Sequence, residues 1–151
     1  TTRKPRPNER DELLFFVEEE EFKSKIEEGK LLEWAQFVGN YYGTPKDYVD
    51  QLLNEGKNVV LEIEVQGALQ VMEKIPDATT IFLVPPSLEE LERRIRGRRT
   101  EEEEIVQQRL SKARKEIATK DEYKYVVEND DVMAAKDKIA EIIKNHQTNQ
   151  G

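Results

Sequence analysis

Residues 80–90 read T-I-F-L-V-P-P-S-L-E-E and join a strand to a helix. The run from Thr80 to Val84 is too apolar for anything but a buried strand, and the two prolines after it stop the strand. Ser87 and Glu90 have the spacing of a capping box, which predicts a helix to about Arg96 with Gly97 next. A buried strand that leads straight into a helix is the repeating unit of an α/β fold.

The same alternation extends along the rest of the chain. Thr44 as an N-cap, with Pro45 at the first helical position, predicts a helix that ends at Gly56. Thr100 and Glu103 repeat the capping box before a helix that carries Arg109. Further strands are predicted at 15–17, 59–63 and 125–127, and further helices at 19–28 (closed by Gly29), at 66–74 and from about Asp131 to Lys144. We therefore predict an α/β fold with a mainly parallel sheet flanked by helices, whose ligands bind beyond the carboxyl ends of the strands.

Composition narrows the classes of function. The chain has 151 residues, the size of one domain, and a net charge of −8. It has no cysteine, and its single histidine, His146, lies in a polar C-terminal segment, which excludes disulfides and thiol catalysis and weakens any mechanism that depends on histidine. We find no apolar run long enough to cross a bilayer and no secretory signal, and we expect a cytoplasmic protein.

Positive charge is concentrated in two places despite the acid excess, which suggests a small anionic ligand. Arg3 and Arg6 flank Pro5, so two guanidinium forks on a stiff backbone could hold a phosphate monoester. The alternative is a frayed basic terminus. The second cluster comprises Arg93, Arg94, Arg96, Arg98 and Arg99. Its alternative is a solvated helix face paired with glutamates.

Acid, hydroxyl and phenol groups gather between Glu33 and Thr44. Tyr42 could donate to a phosphate oxygen, and the Thr44 hydroxyl could either cap a helix or donate to a ligand carbonyl. Glu62 and Glu64 lie two apart on a predicted strand and so share a face. Carboxylates accept from the N1–H and the amine of guanine, whose O6 accepts from a hydroxyl. Such a site would reject other bases because its acceptors would stay unpaired.

Five blocks of the sequence, in order, resemble those of guanylate kinases. They read T-T-R-K-P-R-P (1–7), E-W-A-Q-F-V-G-N-Y-Y-G-T (33–44), L-E-I-E-V-Q-G-A (61–68), P-P-S-L-E-E-L-E-R-R-I-R-G-R (85–98) and V-V-E-N-D-D (126–131). The resemblance implies a P-loop kinase fold that transfers a phosphoryl group from ATP to GMP with Mg²⁺. It also implies a GMP-binding region near 7–65, a lid near 88–118 and a polar tail at 145–151, within a single domain.

The resemblance also implies roles for individual residues. Arg3, Arg6 and Tyr42 would bind the GMP phosphate, and Glu33, Thr44 and Glu64 would read guanine. Glu62 would lie near the nucleotide phosphates and the waters of magnesium. Arg94, Arg98 and Arg109 would act on the ATP phosphates, and Asn129 would approach adenine. No residue is assigned as a direct metal ligand.

The sequence departs from the family pattern in two main places. It contains no G-x-x-x-x-G-K-[ST] phosphate loop, so we expect the chain by itself to lack a central strand and to be inactive in transfer. Glu12-Leu13-Leu14 stands where the family has G-x-D-Y, and no ligand is assigned there. Arg99 also replaces a glycine usual in the lid.

Two rival functions remain open at this stage. One is a guanylate-kinase-like scaffold module that binds a phosphorylated peptide in the GMP site, and the missing phosphate loop favours it. The several base acceptors and lid arginines oppose it, since a peptide reader needs neither. The other is an RNA-binding domain, which the acid excess and the lack of an aromatic stacking motif oppose. Oligomeric state and the choice between GMP and dGMP stay open.

Overall fold

A computed structural model of the chain describes residues 1–5, 7, 14–37, 39–98 and 102–149, with the side chains of Arg98, Thr148 and Asn149 left out. The chain divides into two compact units, Thr1–Ala78 and Thr79–Gly151. Both combine helices with a short sheet, so the predicted α/β class is confirmed. Among the described residues, no helix is both long and apolar enough to cross a membrane.

The first unit is a β-hairpin with helices packed on it. Its elements are α1 (Glu19–Glu27), β1 (Leu31–Phe37), β2 (Asn40–Pro45), α2 (Lys46–Asn54) and α3 (Val65–Lys74). β1 and β2 pair antiparallel, with Glu33 opposite Thr44. The core joins β1, α2 and α3 through Leu32, Val49 and Val71. Gly29 and Gly56 follow α1 and α2 with φ of 68° and 79°, as expected for glycines that end helices.

Several predictions for this unit are wrong. The hairpin was not expected, and Thr44 belongs to β2, so that Pro45 is the N-cap of α2 and Lys46 its first residue. Residues 15–17 form no strand, and the backbone bonds found for them among the described residues go to Thr1: Val17 N–H donates to the Thr1 carbonyl, and the Thr1 amino group donates to the Phe15 carbonyl.

The segment at 59–63 belongs to neither of the sheets that the described residues form, although a strand was predicted there. Its side chains do alternate as in a strand: Val59, Leu61 and Ile63 pack on the core, whereas Val60 and Glu62 are exposed. Apolar alternation gives the segment a buried face, but a strand also needs a hydrogen-bonded neighbour.

The second unit carries the parallel pairing that the sequence predicted. Its elements are β3 (Ile81–Val84), α4 (Leu88–Arg98), α5 (Glu103–Ile117), a 3₁₀ turn (Lys120–Glu122), β4 (Tyr125–Glu128) and α6 (Val132–Asn149). β3 and β4 are parallel, with Phe82 opposite Val126. The buried apolar side chains of this unit include Phe82 and Val127 on the strand pair and Val106 and Leu110 on α5.

Helix boundaries in this unit follow the caps only in part. Glu90 N–H donates to the Ser87 hydroxyl at 3.0 Å, so half of the predicted capping box is present. α4 continues through Gly97 to Arg98, and α6 continues past Lys144 to Asn149. The Asp131 carboxylate accepts from Met133 N–H at 3.0 Å, as a cap should. α5 has Glu102 as its N-cap without a side-chain bond, and Thr100 lies outside the described residues.

Candidate functional site

One face of the hairpin collects the predicted base-reading groups. Glu33 lies opposite Thr44, and Ala35 lies opposite Tyr42. Because side chains opposite each other project to the same face, and alternate residues of a strand share a face, Glu33, Tyr42 and Thr44 point the same way. The Thr44 hydroxyl donates to Glu33 Oε1 at 2.7 Å. Three of the sequence-predicted residues are therefore brought together on one surface of the first unit.

Glu33 is an unusual residue at this position, because it is a carboxylate with only 4% of its surface exposed. Burial raises its pKa, and the neighbouring Glu64 carboxylate raises it further. The Thr44 hydrogen bond and the positive charge of Lys74 oppose that rise. Among the described residues, the Thr44 hydroxyl is the group that donates to this carboxylate. A buried carboxylate with one neutral donor is costly unless a ligand brings further donors.

Helix α3 leaves room for this carboxylate at Gly67, which sequence reasoning did not single out. A Cβ atom on Gly67 would lie 1.9 Å from Glu33 Oε2 and 2.8 Å from Glu33 Cδ, far inside van der Waals contact. Glycine is disfavoured inside helices, so its presence in the first turn of α3 signals a close approach. Only the structure shows that the approaching group is Glu33.

The two acidic residues before α3 differ in their burial and in their effect on the pKa of Glu33. Glu64 is partly buried, is the N-cap residue of α3, and is close enough to Glu33 to affect its pKa. Glu62 is exposed. Glu64 therefore belongs with Glu33, while Glu62 faces solvent in the structure.

The N-terminal segment runs along β2. Thr2 N–H donates to the Tyr41 carbonyl at 3.0 Å, and Tyr41 N–H donates to the Thr2 hydroxyl at 2.8 Å. Arg3 therefore lies beside the strand that carries Tyr42. Its guanidinium donates to the Lys4 carbonyl at 3.0 Å and lies 5.6 Å from the centre of the Phe16 ring. Arg6 lies outside the described residues.

In the second unit, two residues predicted for the ATP side are in contact. Both terminal nitrogens of Arg94 lie 3.3 Å from the Asn129 carbonyl oxygen, and Arg94 Nε donates to Glu90 at 3.1 Å. Glu90 also accepts from Arg93, and these arginine bonds lower the pKa of Glu90. The Glu90 side chain thus orients arginines instead of completing the capping box, a role that the sequence pattern did not reveal.

The remaining arginines fall into two groups. Arg96 donates to Glu103 at 2.6 and 2.7 Å and to Glu92 at 3.1 Å. Together with Arg93, it fits the alternative of a charged, glutamate-paired helix face. Arg109 is exposed on α5. Arg98 is the last residue of α4, and its side chain is outside the described part of the chain.

Comparisons with known proteins point to one family. A sequence model of the family described as guanylate kinase matches residues 1–146. The chain is 58% identical over 144 residues to a guanylate kinase of Bacillus cereus, covering 95% of this chain and 70% of that protein. A guanylate kinase of Desulfitobacterium hafniense is 51% identical, covering 95% of this chain and 72% of the relative. The crystal structure of guanylate kinase from Anaplasma phagocytophilum superimposes with a TM-score of 0.81 at 33% identity, covering 97% of this chain and 72% of that one.

Proposed function

The chain belongs to the guanylate kinase family, and from this premise we propose how its residues serve the reaction ATP + GMP → ADP + GDP. The Thr1–Ala78 unit binds GMP, and the Thr79–Gly151 unit supplies arginines for the ATP phosphates. An oxygen of the GMP phosphate attacks the γ-phosphorus of ATP, and the bond from that phosphorus to the β-phosphate oxygen breaks. The scaffold alternative is not favoured, given identities of 51–58% to guanylate kinases. The lack of cysteine fits a reducing cytoplasmic location.

Guanine recognition centres on Glu33. Its buried carboxylate accepts one hydrogen bond from Thr44 at 2.7 Å, and this contact is the observation that carries the proposal. A hydroxyl has one hydrogen to donate. When guanine enters, that hydrogen turns from Glu33 to O6, and Glu33 accepts from N1–H and the exocyclic amine instead. Glu64, beside Glu33, offers a further acceptor. Guanine therefore replaces an internal hydrogen bond with several charge-assisted ones.

Phosphate binding follows from the neighbouring strand and the N-terminal segment. Tyr42 shares the face of Glu33 and Thr44, so its phenol is suited to donate to the phosphate of the same nucleotide. Arg3, beside the strand that carries Tyr42, and Arg6 supply bidentate guanidinium contacts. One face of the hairpin thus recognises the base, and the N-terminal segment beside it supplies the arginines that bind the phosphate.

The second unit supplies positive charge that stabilises the transition state. Arg94, Arg98 and Arg109 stabilise the negative charge on the transferred phosphoryl oxygens, and Asn129, whose carbonyl already holds Arg94, approaches the adenine. The described residues contain no cluster of three acidic or histidine side chains that would grip a metal ion. Mg²⁺ would be carried by the ATP phosphates, with exposed Glu62 near its waters. Bound there, Mg²⁺ would neutralise part of the negative charge of the ATP phosphates.

Calorimetric titration of the 151-residue chain with GMP, guanosine and AMP tests the GMP site. We expect GMP to bind, guanosine to bind more weakly for want of the phosphate, and AMP to bind most weakly because its base offers the wrong pattern of donors. Equal affinity for GMP and AMP would refute the base-reading role of Glu33. Tight binding of a phosphoserine peptide without GMP binding would support the scaffold function.

A further inference from the structure

The edge of β1 that faces away from β2 is held by side chains of α3. Trp34 N–H donates to Gln70 Oε1 at 3.1 Å, and Gln70 Nε2 donates back to the Trp34 carbonyl at 2.6 Å. The side-chain amide thus bonds both backbone groups of Trp34, as a neighbouring strand would. Lys74 Nζ donates to the Leu32 carbonyl at 2.6 Å. The residues immediately before and after Glu33 are therefore both fixed to α3.

The contacts with this short stretch of β1 come from one face of the helix. Gly67, Gln70 and Lys74 are spaced by three and four residues, which places them in line along α3. Gly67 lies against the Glu33 carboxylate itself, and the other two hold the backbone on either side of it. The second hydrogen of Gln70 Nε2 goes to the Gln66 carbonyl at 3.2 Å, so the amide is held in one orientation.

We propose that Gln70 and Lys74 are positioning residues for guanine recognition, which fix the main chain on both sides of Glu33 so that its carboxylate is held at the place where the guanine donors arrive. The inference rests on the proposed role of Glu33. It goes further in assigning the selectivity for guanine partly to residues that touch no nucleotide. A carboxylate on an edge strand that was paired on one side only could shift with the strand, and a site needs its groups held within about 0.5 Å of their productive geometry.

The effect should depend on the base. GMP and IMP share N1–H and O6, but IMP lacks the exocyclic amine. A displaced Glu33 carboxylate cannot accept from both donors of guanine, so GMP loses more affinity than IMP when the position of Glu33 is relaxed. A loss of general structure would lower the affinity for both nucleotides by the same factor.

The test is calorimetric binding of GMP and IMP to variants of the 151-residue chain. Gln70→Leu and Lys74→Met remove the two contacts. Gln51→Leu and Lys57→Met are matched controls, because their side chains are exposed and, among the described residues, each contacts Glu55. Lys74→Arg keeps a cationic donor and serves as the conservative variant, and thermal unfolding checks that each variant folds.

We expect Gln70→Leu and Lys74→Met each to weaken GMP binding about tenfold and IMP binding about twofold, since each removes a partner of a buried backbone group next to the acceptor. The controls should bind as the parent does, and Lys74→Arg should lose less affinity for GMP than Lys74→Met. In a Glu33→Gln background, Gln70→Leu should add no further loss, because both changes act through one carboxylate.

Equal losses for GMP and IMP, or losses that add to that of Glu33→Gln, would overturn the positioning role. So would unchanged GMP binding in Gln70→Leu and Lys74→Met while Glu33→Gln loses affinity. If Glu33→Gln itself binds GMP like the parent, the base-reading function is the part that fails. Should Gln70→Leu fail to fold, Lys74→Met and Lys74→Arg are compared across pH, because the Lys74 charge also lowers the pKa of Glu33. A loss of GMP affinity in Lys74→Met that persists at high pH, where Glu33 is ionised in both variants, supports the proposal, and a loss that vanishes there contradicts it.

Discussion

Gly67→Ala should weaken both the fold and GMP binding, although alanine is the better helix former. The new Cβ would lie 1.9 Å from Glu33 Oε2, whereas non-bonded carbon and oxygen atoms need roughly 3.4 Å or more. The carboxylate would therefore have to move by about 1.5 Å. Its 2.7 Å bond from Thr44 cannot survive such a displacement.

The sign of the change in stability follows from comparing two magnitudes. Replacing glycine by alanine inside a helix gains up to about 1 kcal/mol. Moving a buried carboxylate off its hydrogen-bond donor costs about 1–3 kcal/mol. Because Glu33 is only 4% exposed, it has little free space to retreat into. We expect the free energy of unfolding to fall by about 1 kcal/mol and the affinity for GMP to fall at least tenfold, in line with the value of a hydrogen bond to a charged group.

Urea unfolding and GMP calorimetry measure the two effects, and Gly97→Ala is the matched control. Gly97 is also inside a helix, α4, but a Cβ there would meet nothing within 4 Å. Gly97→Ala should therefore raise the free energy of unfolding by a few tenths to about 1 kcal/mol and leave GMP binding unchanged. If Gly67→Ala gains stability like Gly97→Ala and binds GMP normally, then the close packing of α3 against Glu33 is not what shapes the site.

Three further predictions concern other parts of the molecule. Because burial raises the pKa of Glu33, its ionisation in the free protein opposes folding. Stability should fall as pH rises through that raised pKa, while GMP affinity rises over the same range. Glu33→Gln should remove both trends, and the titration of the GMP phosphate affects the parent and this variant alike. Identical pH profiles of stability and GMP affinity for the parent and Glu33→Gln would contradict this prediction. Arg96→Met should leave both the midpoint of urea unfolding and the affinity for GMP almost unchanged, because its partners are surface glutamates. A large loss of GMP affinity would show that the charged face serves the site. Gly39→Ala should destabilise the fold by about 1–2 kcal/mol, because Gly39 has a φ of 77°, and an unchanged melting temperature would show that the turn accepts a side chain.

Structural features that depend on a few neighbouring residues, such as helix ends and caps, were predictable from the sequence. Gly29 and Gly56 end their helices in the left-handed region, and Ser87 caps α4, since each depends only on residues nearby. Local chemistry of this kind needs no knowledge of the remaining fold. The apolar run before Pro85 formed β3, but it is not the buried strand that was predicted, because Phe82 is its one buried residue and Leu83 is 49% exposed.

The hairpin escaped prediction because four of the seven residues of β1 are buried. Phe22 of α1 lies close to Gly43 on one side, and Gly67 of α3 lies against Glu33 on the other. The alternation of apolar and polar residues that marks a half-exposed strand is therefore weak in β1. In contrast, residues 59–63 alternate clearly but form no strand of the described sheets, since alternation does not supply a hydrogen-bonded neighbour.

The candidate site, too, could be predicted from the sequence only in part. The residue types that could read guanine, Glu33, Thr44 and Glu64, were identified from their chemistry and from the family resemblance. Their support from Gly67, Gln70 and Lys74 was not, because contacts between a helix face and a strand edge leave no short motif. Glu90 illustrates the same limit, since its spacing from Ser87 indicated a cap while its side chain binds Arg93 and Arg94.

A crystal structure of this chain grown with GMP tests the central claim most directly. We expect guanine N1 and the exocyclic amine within about 3 Å of the Glu33 carboxylate, with the Thr44 hydroxyl turned from Glu33 to O6. A nucleotide bound elsewhere, or bound with the Thr44–Glu33 bond intact and the guanine edge facing solvent, would contradict the account.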